Sequence, residues 1–125
     1  METNDVLDRT HEDTWATYTA SWKTDDPAER SRLFAASLAD DCVYTDPLTQ
    51  AEGWAELAAY MEQFHQQIPG GHFVTTAIEG HHDRVLVTWD MVSGAGDKIG
   101  KGTSYGTFGD DGRLTSMTGF FATDT

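Results

Sequence analysis

Through residue 68 the apolar positions recur mostly at helical spacing, and beyond Gly71 they alternate. Trp15, Tyr18 and Trp22 fall at i, i+3 and i+7, one aromatic stripe on a helix. The spacing predicts its start near Thr10, where a hydroxyl cap is followed three residues later by an acid. A second, short helix follows Asp26: the aspartate can cap, Pro27 suits the first helical position and Glu29 completes a capping-box pattern. Leu33, Phe34 and Leu38 supply its buried side. The third helix carries Trp54, Leu57, Met61, Phe64 and Ile68 at spacings of three and four, and Pro69-Gly70-Gly71 stops it.

Residues 42–46 read as a brief strand that Pro47 ends. The stretches 72–80, 84–94, 98–109 and 113–122 then alternate as strands do, joined by His-His-Asp, Ala-Gly-Asp and Asp-Asp-Gly turns suited to hairpins. Helices followed by a meander predict an α+β fold, a single domain over residues 1–125 with the helices on one side of a curved antiparallel sheet. The acidic first eight residues and Thr-Asp-Thr at the end read as loose.

Charge narrows the function classes. Against 21 acidic residues stand 8 Lys and Arg, for a net charge of −13. Such a surface repels phosphate backbones and anionic lipid, so no nucleic acid and no membrane is expected as partner. The lone Cys42 excludes an internal disulfide and a cysteine-rich metal site; it reads as a buried filler. No apolar run approaches the ~20 residues of a membrane helix. The opening METNDVLDRTHEDT lacks a basic segment followed by an apolar one, so a cytoplasmic protein is expected. Gly100-Lys101 is wrongly spaced for a phosphate loop, with Gly102 where Ser or Thr belongs. His81 and His82 are adjacent and cannot chelate together from a strand, so no metal is expected. No nucleophile elbow is present.

The order of elements, with LFAASLADDCVYTDPLT, GWAELAAYMEQF and GDDGRLTSMTGFF, resembles the nuclear transport factor 2-like (NTF2-like) superfamily from Trp15 to Phe121. Within it the chain resembles the group of ketosteroid isomerases, limonene epoxide hydrolases and SnoaL-like polyketide cyclases. The resemblance implies a cone of three N-terminal helices packed on a curved antiparallel sheet. Asp46 before Pro47 matches the general base of the isomerases, and Tyr18 the tyrosine that donates to the developing oxyanion. Their second acid would fall near Ser104. Asp90 matches the acid of the hydrolases' Arg-x-Asp element, with Thr88 in place of the arginine, and their other aspartate would fall at Gly119.

Independently of the resemblance, a residue before proline is restricted to extended backbone, which fixes the direction of the Asp46 side chain. Asp46 is then either a base at the mouth of a pocket or a strand end that hydrogen-bonds the following turn. Tyr18 is either an oxyanion donor or core with an anchoring hydroxyl. In the strand from 85 to 92, periodicity points Val85, Val87, Trp89 and Met91 at the core. The resemblance implies the opposite register, with Leu86, Thr88, Asp90 and Val92 in the pocket. Both hold if the apolar face packs on a second subunit, so a homodimer through the outer sheet face is expected. Asp90 is then a second acid in the cavity or a paired structural one. Gly100, Gly102, Ser104 and Gly106 face inward in that register, leaving room for a flat ligand or permitting bends. Trp22, Met61, Phe64, Met117 and Phe121 line the rest.

These residues lead us to expect a pocket for a small, apolar, oxygenated molecule and a cofactor-free isomerase or cyclase. Asp46 would take a proton α to a carbonyl while Tyr18 stabilises the enolate. The alternatives are a non-catalytic small-molecule-binding module and a dimerisation domain with a filled core.

Overall fold

The computed structural model describes residues 9–123. Residues 1–8 and 124–125, which make up all of the loose ends except Thr123, lie outside that range. Helices α1 (Arg9–Lys23) and α2 (Pro27–Ser37) precede strands β1 (Leu38–Asp46) and β2 (Thr49–Glu52). Helix α3 (Gly53–Gln67) leads into β3 (His72–His81), β4 (Arg84–Val92), β5 (Lys98–Phe108) and β6 (Leu114–Phe120). The six strands form one sheet in the order β2-β1-β6-β5-β4-β3. Every pairing is antiparallel except β1 with β6, which is parallel. The fold is α+β with a mostly antiparallel sheet. The expected all-antiparallel sheet is corrected at that one pair, where the chain passes through α3 before returning.

Local chemistry sets the boundaries. Asp26 caps α2 by accepting from the Ala28 N–H at 3.1 Å. Glu29 does not close a capping box, because its carboxylate holds Arg32 at 2.8 Å, while Thr24 Oγ1 takes the Asp26 N–H. The strand expected at 42–46 starts four residues earlier, since Leu38 both caps α2 through its N–H to Phe34 and opens β1. Strand β2 escaped the sequence reading because Thr-Gln-Ala-Glu is too short and polar to show a period. Buried Arg30 lies across the end of α1, donating to the Ser21 and Thr24 carbonyls that the helix leaves unpaired.

The core lies between the helices and one sheet face. Trp15, Tyr18 and Trp22 of α1, Phe34 of α2, and Leu57 and Met61 of α3 meet Val85, Val87, Leu114 and Met117 of the sheet. This settles the register of β4 in favour of simple periodicity. Val85 and Val87 are fully buried, while Leu86 is 42% exposed. Pairing explains why. Directly opposed residues of antiparallel strands share a face, and Ser104, which faces inward, lies opposite Val87. An inward Ser104 and an inward Thr88 exclude one another. The apolar residues on which the homodimer expectation rested are therefore turned to the core.

Two of the three inward glycines of β5 have a different use from the one expected. A Cβ on Gly102 would overlap the Trp89 ring and come within 2.7 Å of the Phe120 carbonyl. One on Gly106 would meet Trp15 at 2.9 Å. These two glycines make room for the protein's own indoles rather than for a ligand.

The register makes a direct prediction. Val87→Ala should lower stability by about 2 kcal/mol, through lost burial and the void left behind. Leu86→Ala, one residue away, should change it by less than about 0.5 kcal/mol. Urea denaturation of the two variants checks this; equal losses would refute the observed register.

Candidate functional site

Between the helices and the inward sheet face is a cavity of about 660 Å³. Its wall draws on α1 at Trp15, Tyr18, Thr19 and Trp22, and on α3 at Tyr60, Gln63, Phe64 and Gln67. Both sets are spaced i, i+3, i+4 and i+7, one face of each helix. A chain of aromatic contacts crosses the wall: Trp22 to Phe73 at 5.2 Å, Phe64 to Phe73 at 5.2 Å, and Phe73 to Trp89 at 5.0 Å between ring centroids. A filled core, one of the three expectations, is not what this interior is.

Asp46 is the only acid lining the cavity among the described residues, and it is 8% exposed. Strand alternation places it there, because Cys42, Tyr44 and Asp46 occupy successive inward positions of β1. Its two oxygens have separate partners. Oδ1 accepts the backbone N–H groups of Leu48 at 2.8 Å and Thr49 at 3.0 Å, closing the turn after Pro47. Oδ2 accepts two hydroxyls, Tyr44 at 2.6 Å and Tyr60 at 2.8 Å. The turn reading of Asp46 is correct for one oxygen, and the other meets two tyrosine hydroxyls at the cavity wall.

Two further hydroxyls border the site, those of Ser104 and Tyr18. Trp89 Nε1 donates to Ser104 Oγ at 3.0 Å. Tyr18 lines the cavity beside Trp22 on the same face of α1, and the Trp22 side chain works against the burial that raises the Tyr18 pKa. Both hydroxyls line the cavity, where each is placed to donate to a ligand. Gly119 completes this corner: a Cβ there would stand 3.6 Å from Asp46 Cβ and 3.8 Å from both Ser104 Oγ and Tyr44 Oη.

The structure brings Asp46, Tyr18, Trp22, Phe64, Ser104 and Phe121 to the cavity wall. The other expected residues lie elsewhere. Asp90 is on the outward face, 3.4 Å from Lys98 Nζ, and Thr88 shares a hydrogen bond with Thr76 there. Val92 follows the same outward alternation, past a break in the β4–β5 register. Met61 is fully buried in the core, one position off the cavity stripe of α3. Met117 faces inward but lies opposite Gly106, inside the packed core. Tyr44 and Tyr60 were missed. Tyr44 had a signal, being two residues before Asp46 on one strand and therefore on its face. Tyr60 had a weaker one, as the first member of the second stripe on α3.

Burial is the main cause that holds these phenols in their protonated form. The Tyr44 pKa is raised far above its ordinary value, first by desolvation and then by Tyr18 and the hydrogen bond to Asp46. Tyr18 is raised by burial, against which the Trp22 side chain works, with smaller upward effects of Cys42 and Asp46. Tyr60 is raised by burial, then by its bond to Asp46 and the charge it carries. Burial and the charge of Asp41 push the Cys42 thiol up to about 11, so it stays a thiol at neutral pH.

A pH dependence follows. Unfolded tyrosines ionise near pH 10, whereas folded Tyr18 and Tyr44 keep their protons above that. Above pH 10 the unfolded chain binds fewer protons, so stability falls as pH rises. Each of the two contributes a slope of about −1.4 kcal/mol per pH unit, and neither contributes below about pH 9. Urea midpoints across this range, with phenolate absorbance of the folded protein, test it. All four tyrosines ionising together near pH 10 in the folded state would refute it.

No functionally curated protein matches the chain. Solved structures do. A SnoaL-like family protein of Agrobacterium tumefaciens, provisionally named an isomerase, is 31% identical, with a TM-score of 0.84 over 92% of this chain and 99% of its own. A SnoaL-like protein of Jannaschia sp. CCS1, provisionally named a polyketide cyclase, shares 14% identity and a TM-score of 0.76, covering 96% and 90% of the two chains. A protein of Sinorhizobium meliloti with the same provisional cyclase name shares 17% identity and a TM-score of 0.69, over 86% and 93%. At those identities the last two speak for the fold alone. The profile of the SnoaL-like domain matches residues 14–117, a span that holds nearly every helix and strand described above, and the chain belongs to the SnoaL-like family.

Proposed function

We propose that the cavity takes a small, flat, largely apolar molecule bearing a carbonyl, and that Asp46 removes a proton from the carbon beside that carbonyl. The observation that carries this reading is Asp46 Oδ2, the carboxylate oxygen at the cavity wall, held by two tyrosine hydroxyls while backbone N–H groups hold Oδ1. In the proposed step the α C–H bond breaks and the proton passes to Oδ2. The electron pair forms a carbon–carbon double bond, and the carbonyl π pair moves to oxygen. Tyr18, itself buried, donates its proton to that oxygen as it becomes anionic, a bond that strengthens as charge develops there. The enolate then collapses by reprotonation at another carbon, an isomerisation, or by attack on a second carbonyl, a cyclisation. The provisional names of the relatives agree with either ending.

A second reading has its own support. A carboxylate offers about four acceptor sites, and Asp46 has four donors. A group so fully engaged also suits a non-catalytic binding module, in which Asp46 only holds the tyrosines in place.

Deuterium uptake into 2-tetralone in D₂O, followed by NMR, separates the two. Catalysis predicts exchange above the buffer rate that falls by about 10²-fold or more in Asp46→Asn and by about 10²-fold in Tyr18→Phe. Binding of 2-tetralone without exchange in any of the proteins favours the binding module. Gly119→Val should weaken that binding by occupying the corner beside Asp46, Ser104 and Tyr44; unchanged affinity would place the ligand elsewhere.

A further inference from the structure

We propose that Tyr60 is a second donor to the ligand's carbonyl oxygen, and that in the free protein the same hydroxyl covers the base that it later exposes. The inference rests on the reading of Asp46 as the base.

The argument starts from the full occupancy of the carboxylate. To accept a proton from carbon, Asp46 must release one of its four donors. The two on Oδ1 are backbone N–H groups of the turn after Pro47 and cannot leave without opening the hairpin. The two on Oδ2 are hydroxyls, which turn about a single bond. Tyr44 is nearly buried and makes the shorter bond, 2.6 Å. Tyr60 is half-buried on the cavity stripe of α3 and bonds at 2.8 Å. A turn about its Cζ–Oη bond with a small outward shift of the ring frees one side of Oδ2 and sends the proton into the cavity. Tyr60 is therefore the donor that gives way.

Charge movement supplies the reason for it to do so. Before transfer the negative charge is on Asp46; afterwards it is on the ligand oxygen, and Asp46 is a neutral acid. A hydroxyl within reach of both follows the charge, because a bond to an ion is about twice as strong as one between neutral groups. Tyr60 retains its own proton throughout. Its bond to the ligand strengthens as the enolate forms, the condition under which a donor lowers a barrier rather than merely tightening binding. Tyr44 stays on Oδ2 and acts as a positioning residue.

The test uses 2-tetralone labelled with ¹³C at the carbonyl, bound to wild type, Tyr60→Phe, Tyr44→Phe and Asp46→Asn, with infrared and exchange measurements on each. Phenylalanine keeps the ring, and melting curves verify that the variants are folded. In wild type the bound carbonyl band should lie below its position in hexane. Tyr60→Phe should return it toward that position and slow exchange by about 10²-fold, chiefly in kcat rather than KM. Tyr44→Phe should leave the band in place. A band and exchange rate unchanged in Tyr60→Phe overturn the inference, as does a wild-type band at the hexane position. Exchange that survives Asp46→Asn sinks the base reading instead, while the band still reports on Tyr60. Failure of wild type to bind 2-tetralone overturns both.

Discussion

One carboxylate joins three parts of this molecule. Asp46 closes the β1–β2 turn with one oxygen and, with the other, ties its own strand through Tyr44 to α3 through Tyr60. A buried charge without such partners would be costly; here four neutral donors take the place of water. The helix layer is thereby fixed against the sheet at the cavity, and the distance between Tyr60 and β1 sets the width of the polar end. Removing the carboxylate would act on shape as well as on chemistry, so its amide, which keeps shape and loses charge, is the informative replacement.

The apolar end follows another rule. Trp89 packs a large ring against the core and still satisfies its indole N–H on Ser104. Trp54 does the same on the Ala39 carbonyl at 3.0 Å. Trp15 departs from this pattern, with a buried Nε1 that has no hydrogen-bond partner among the described residues. An unsatisfied donor costs about 1–3 kcal/mol, which the packing of Trp15 against Tyr18 and the β5 backbone offsets.

Much of this was legible in the sequence. The stripes on α1 and α3, the Asp26-Pro27 helix start and the four hairpin-linked strands each follow from a local rule. Local rules stop where partners are needed. The face of β4 is decided by which residue of β5 lies opposite, so Asp90 and Thr88 were assigned to the cavity when the resemblance was followed over plain alternation. Met61 and Met117 were misplaced for a related reason, since hydrophobicity marks the inside without separating core from cavity wall. Asp46 stood out because proline limits its backbone. Tyr60 did not, because its role depends on a carboxylate fourteen residues away and on the angle at which α3 crosses the strand.

The packing of Trp89 over Gly102 has a consequence for the evolution of such a site. A side chain cannot be added at Gly102 without displacing the indole, so this part of the wall can only be hollowed out, never thickened. Any smaller residue at position 89 would open a slot floored by bare backbone and at once release the Ser104 hydroxyl from the indole that holds it. Ligand size and the number of free hydroxyls are then inherited together, and a descendant that accepts bulkier molecules gains a polar contact in the same step.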